Sequence, residues 1–192
     1  MSYKVLIIPE DFTKDEHVLK PLVEKVLADA GKSNTAVLVC RDPNFAGIGE
    51  ALKLERLKKD VIQRYPMVDL FILFVDRDGL AARDGTVAGI EKALEPEFKN
   101  RKGRFVAEVA HQEVEVFVLA GHDLPTDWSW KAIRADPNVK NTYFRDFVHT
   151  KGMQDHPHEG RKMLVAEGIK NWERIKGRCP EDVGRLIKRL KA

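Results

Sequence analysis

This chain has little that would staple it or anchor it. Its 192 residues include two cysteines, Cys40 and Cys179, far apart and without metal or redox spacing. A disulfide framework is therefore not expected, and buried thiols in a reducing cytoplasm are. No apolar run approaches the roughly 18 residues of a membrane span. Tyr3-Lys4 passes straight into an apolar segment with no cleavage region, so no secretory leader is expected and the predicted location is cytoplasmic. There is no Gly-x-x-x-x-Gly-Lys, which argues against a Walker A phosphate loop. His111, His122, His149, His156 and His158 lack His-Glu-x-x-His spacing, so polar loop histidines are favoured over a zinc site. Internal repeats and low-complexity tracts are also missing.

What is there reads as one globular domain, or one domain with an appendage: 43% of residues are hydrophobic and 33% charged. The net charge is +3, unevenly spread. Residues 161–192 carry ten Lys or Arg against four acids, a balance of +6, which leaves the rest at −3. Such a tail could face a phosphate backbone or simply be a solvated helical surface.

Strand and helix patterns alternate through the first 120 residues. Tyr3 to Ile8, Ala36 to Cys40, Asp69 to Val75 and Phe105 to Ala110 read as strands. Between them, helices are predicted over about Asp15–Ala30, Ile48–Tyr65 and Val87–Leu94, and another follows from Gln112 to Ala120. Alternation of this kind predicts an α/β layered sheet, mostly parallel. The boundaries implied are an α/β core over 1–122 and a loop-rich, helical extension over 123–192 packed on it. In that extension a helix is expected over about Gly160–Ile169, and a last one begins where Cys179-Pro180 sets Pro at the first helical position.

Three apolar runs end in acids. Ile7-Ile8 leads through Pro9 into Glu10, and Leu70-Phe71-Ile72-Leu73-Phe74-Val75 ends in Asp76-Arg77-Asp78. Phe105 to Ala110 leads into Gln112-Glu113-Val114-Glu115. In a parallel sheet, ligands gather outside the carboxyl ends of strands, where these acids would meet. Carboxylates brought together there need a cation, and all-oxygen ligands suit Mg²⁺ or Mn²⁺. Alternate residues of a strand face opposite ways, so Asp78 must lie past the strand end, where Gly79 eases the turn.

Glu after strand 1, Asp-x-Asp after strand 3 and a later acidic element resemble the TOPRIM domain, and the chain is most similar to a bacterial TOPRIM-like family found beside AAA/ABC-type ATPases. The likeness spans nearly the whole chain. Glu10-Asp11-Phe12-Thr13-Lys14-Asp15-Glu16 resembles that family's opening, with Asp11 where Gly is usual. Gln112-Glu113-Val114-Glu115-Val116-Phe117 resembles its acidic helix start. Glu159-Gly160-Arg161-Lys162 and Arg178-Cys179-Pro180 resemble two further segments.

The resemblance implies a Rossmann-like TOPRIM layered sheet and Mg²⁺- or Mn²⁺-dependent phosphodiester cleavage by Glu10, Asp76, Asp78 and Glu115. Glu16 is implied as a further metal ligand. Arg161, Lys162, Arg178 and Arg185 would steer the nucleic acid. It also implies an ATPase partner and a role in antiviral defence, and a homo-oligomer is compatible with it. The competing expectation is a non-catalytic regulatory module that docks an ATPase through its C-terminal third.

Overall fold

The computed structural model describes residues 2–45 and 47–191. Four strands form one sheet: β1 (Tyr3–Pro9), β2 (Thr35–Val39), β3 (Leu70–Asp76) and β4 (Arg104–Ala110). They lie in the order β2-β1-β3-β4 and every pairing is parallel, with Ile7 opposite Val39 and Ile72, and Asp76 opposite Ala110. The continuous apolar runs are explained by burial on both faces. Val5, Ile7, Ile72, Phe74 and Val106 face one apolar layer; Leu6, Ile8, Phe71, Leu73 and Phe105 face the other.

Helix α1 (Phe12–Asp29) covers the first face. Asp11 caps it, its side chain accepting the Thr13 amide at 2.9 Å while its own amide donates to Asp15 Oδ2 at 3.3 Å. Val18, Leu19, Leu22, Val23, Val26 and Leu27 form the buried stripe. Pro21 sits within α1, which runs on through it.

On the second face, the segment expected as one long helix is broken into α2 (Ile48–Ala51), α3 (Leu54–Arg56) and a wide π-type turn over Leu57–Ile62. Lys53 is extended and interrupts the helical hydrogen bonding, yet Leu57, Val61 and Ile62 still reach the core. Helix α4 (Arg83–Leu94) joins β3 to β4 on this same face. The chain thus leaves β1 across one face and β3 across the other, and the strand order reverses between them.

The C-terminal region is helical: α5 (Glu115–Ala120), α6 (Trp130–Ala135), α7 (Arg145–Thr150), α8 (Arg161–Gly168), α9 (Trp172–Arg178) and α10 (Arg185–Lys191). The helix expected from Gln112 starts at Glu115, and three helices rather than two follow Gly160. Val116, Phe147, Leu164, Ile175 and Leu186 belong to the same apolar cluster as α1. A Cβ added to Gly160 would lie 2.7 Å from Met153 Cβ, and its φ of 66° is left-handed, so this turn into α8 needs glycine. Cys40 and Cys179 are free and buried. No helix among the described residues is long and apolar enough to cross a membrane.

Candidate metal centre

The crevice outside the carboxyl ends of β1 and β3 is the point where strand order reverses, the usual place for a ligand in an open parallel sheet. Glu10 follows β1 directly and Asp76 is the last residue of β3. The Asp76 amide donates to Glu10 Oε2 at 3.3 Å. Asp76 Oδ1 accepts the Val114 amide at 2.9 Å, so the loop after β4 is tied to the same corner.

Gln112 sets the shape of that loop. Its backbone is left-handed, with φ 80°, and its carbonyl accepts the Arg77 and Asp78 amides at 2.7 and 3.2 Å. Its side-chain oxygen accepts the Gly79 amide at 2.9 Å. Asp78 and Gly79 are left-handed as well, with φ of 49° and 71°. Such a backbone is uncommon for an aspartate and is held here by the Gln112 contacts. It turns the Asp78 side chain back toward Asp76, as the Asp-x-Asp-Gly spacing requires.

One carboxylate oxygen from each of Asp76, Asp78 and Glu113 lies within 4.8 Å of the others. Among the described residues no cationic side chain pairs with Asp76 or Glu113, and the nearest to Asp78 is Arg83 Nη2 at 3.9 Å. Burial, reinforced by the negative charges of Asp15, Glu115, Glu10 and Asp78, pushes the Asp76 carboxyl well above the usual carboxylate range. Burial also raises Glu10 and Glu113. Asp15, one turn into α1 and only 8% exposed, is pushed up to about 7, by burial first and then by Glu115. Acids that resist ionisation together are the setting in which a divalent cation is most strongly favoured. The donor set is all oxygen and half-buried, which fits a hard cation and does not select one.

Glu10, Asp76 and Asp78 are therefore brought to one corner, but Glu10, expected as a metal ligand, is not among the three acids whose oxygens converge. Glu115 is adjacent, but its Oε1 accepts Arg161 Nη2 at 2.6 Å, and both side chains are essentially buried. It is neutralised by the protein itself, and Glu113 rather than Glu115 joins Asp76 and Asp78 in the converging group. Glu16 is not in the converging group and makes a bidentate pair with Arg41, both hydrogen bonds 3.0 Å long.

The four residues expected to steer nucleic acid are dispersed. Arg161 is 0% exposed and holds Glu115, Glu159 and the His158 carbonyl, so it is no surface residue. Arg178 donates to the Ala120 and His122 carbonyls and stacks on Trp130. Arg185 pairs with Glu108 at 2.8 Å and Asp84 at 3.2 Å. Lys162 alone of the four is exposed and without an ion pair among the described residues.

Two residues escaped the sequence reading. Asp15 was signalled by its phase, since Val18, Leu19 and Leu22 follow it at the helical spacing of a buried stripe. Glu113 carried no comparable signal, because its direction depends on the left-handed turn at Gln112. No family model, curated protein or solved structure matches this chain.

Proposed function

We propose that this protein is a divalent-cation-dependent phosphodiester-cleaving enzyme of the TOPRIM type, working with an AAA/ABC-type ATPase partner. One observation carries the reading: Asp76, Asp78 and Glu113 converge within 4.8 Å at the β1/β3 crevice without a matching set of protein cations. The α/β sheet with all strands parallel supplies the setting that the resemblance calls for. Mg²⁺ or Mn²⁺ is the proposed ion, which when bound would stabilise the charge that develops on phosphate oxygens.

The chain's own groups have distinct tasks. Asp76, Asp78 and Glu113 would hold the ion. Glu10, raised by burial and fixed by the Asp76 amide, is placed to accept a proton from water. Asp15, titrating at about 7, can take up or release a proton at neutral pH and so relieve the charge of the cluster.

A second reading, a non-catalytic docking subunit of an ATPase complex, is favoured by the arginines. Arg161, Arg178 and Arg185 are engaged with groups of the protein itself, which leaves only Lys162 of the four residues expected to face a nucleic acid. To separate the two, DNA and RNA are incubated with the protein, alone and with an ATPase encoded beside it plus ATP, in Mg²⁺, Mn²⁺ or EDTA. Cleavage that requires metal and is lost in Asp76→Ala supports the enzyme. ATPase binding without cleavage, unchanged in Asp76→Ala, supports the docking subunit.

A further inference from the structure

Arg83 opens α4 beside the acidic corner. It is only 8% exposed, and its Nη1 is buried with no hydrogen-bond partner. Its nearest carboxylate oxygen, Asp78 Oδ2, lies 3.9 Å from Nη2, too far for a hydrogen bond. The same guanidinium lies close enough to Glu10 to draw that carboxyl downward against its burial. A planar cation with five donors is thus held at the cluster with part of its fork unused. Elsewhere in this protein buried arginines are matched to acids: Arg161 to Glu115 and Glu159, Arg134 to Asp182 and Glu181. Arg101 and Arg161 also each leave a buried Nε without a partner, but their Nη atoms are bonded, whereas no Arg83 side-chain hydrogen bond is found among the described residues. A buried charged group so poorly matched is costly.

We infer that Arg83 is a phosphate-binding residue, whose guanidinium, with Nη2 nearest Asp78, shares an oxygen of a phosphate group with the cation site formed by Asp76, Asp78 and Glu113. The inference rests on the cation reading given above. Guanidinium and phosphate match in geometry and charge, and a phosphate shared between an arginine and a cation is neutralised from two sides. Arg83 is also the first residue of α4, whose N-terminal end adds positive potential. The phosphate could be a nucleic-acid diester or a free phosphate; both present the same two oxygens. An acidic corner repels a phosphate on its own, so binding should require the divalent ion.

The test is Mn²⁺-induced broadening of the ³¹P resonance, with Mn²⁺ uptake measured separately on the same samples. Inorganic phosphate and a dinucleoside phosphodiester are the two probes, applied to wild type, Arg83→Gln and Arg83→Lys. Wild type should bind a probe saturably only with Mn²⁺ present. Arg83→Gln should weaken that binding tenfold or more while Mn²⁺ affinity is unchanged or tighter, because a positive charge has left the cluster. Tighter binding of the diester would identify the nucleic-acid backbone as the source, and tighter binding of inorganic phosphate a free phosphate; either agrees with the inference.

Should Arg83→Gln not fold, Arg83→Lys carries the test, since an ammonium keeps the charge but lacks the fork; at least threefold weakening is expected. Phosphate affinity in the folded variant within twofold of wild type would overturn the inference. Wild-type protein that takes up Mn²⁺ but binds neither probe would overturn it too. Wild-type protein that takes up no Mn²⁺ would instead remove the cation reading, and the phosphate subsite with it.

Discussion

Two groups of carboxylates sit on the same sheet and are treated in opposite ways. On β4, Glu108 is 0% exposed and meets Arg185 and Arg189; Arg189 also holds Glu91, and Arg185 holds Asp84. At the β1/β3 crevice, Asp76, Glu10, Asp15 and Glu113 have no such partners among the described residues, and Asp78 has one at 3.9 Å. The first group is closed and structural. The second is left open, although an arginine could have been placed there as easily. A buried acid is tolerated in one place because a fixed cation comes with it, and in the other where an exchangeable cation can.

The same contrast explains the basic C-terminal tail. Its +6 balance suggested a surface for phosphate, yet much of that charge is paired with the protein's own acids. Arg185 and Arg189 close the β4 group, Arg161 closes Glu115, and Lys176 and Lys191 hold Asp29. Lys176 and the Trp172 indole keep the Asp29 carboxyl down at about 2.

Breaking a closed pair should cost the most. Arg161→Met leaves Glu115 and Glu159 facing each other without their cation, and a loss of ~3–5 kcal/mol in urea unfolding is expected. A loss below ~1 kcal/mol would mean that Glu115 belongs to the open group after all.

The open group should respond to pH in the reverse sense. Asp15 is raised from 3.8 to about 7 in the folded protein, so the folded state binds its proton more tightly than the unfolded state does. Its contribution to stability therefore falls as pH rises from about 4 to about 7 and is constant above that. Asp15→Asn removes this penalty: in EDTA at pH 8 it should stabilise the protein by up to ~4 kcal/mol, with the gain vanishing near pH 4. Equal effects at both pH values would place Asp15 outside the cluster.

A smaller effect is expected from ligand. Mg²⁺ or Mn²⁺ at a hundredfold excess over its dissociation constant should stabilise wild type by ~2.7 kcal/mol, and Glu108→Gln should keep that increment. Smallest of all, Glu16→Gln breaks an exposed pair with Arg41 and should cost under ~1 kcal/mol, with cation affinity within about twofold of wild type. A large loss of affinity would return Glu16 to the site.

Much of this arrangement was legible in the sequence, because it depends on strand ends. The runs into Glu10 and Asp76 are continuous enough to fix strands buried on both faces, and their ends follow. Asp78 was legible through Gly79. What stayed hidden depends on side-chain direction over one or two residues. Asp15 and Glu16 are neighbours, but only one lies in phase with Val18, Leu19 and Leu22. Glu113 and Glu115 are two apart, and the turn at Gln112 decides which of them reaches the crevice. The partner of an arginine is equally illegible: Arg161 looked like a surface charge until the left-handed turn through His158, Glu159 and Gly160 carried it inside.

Calorimetric titration of Mn²⁺ into metal-stripped protein at pH 8, with wild type and Asp76→Asn side by side, tests the open cluster most directly. Saturable uptake by wild type, at least tenfold weaker in a folded Asp76→Asn, is the expected result. No saturable uptake by wild type, or the same affinity in both proteins, would contradict it.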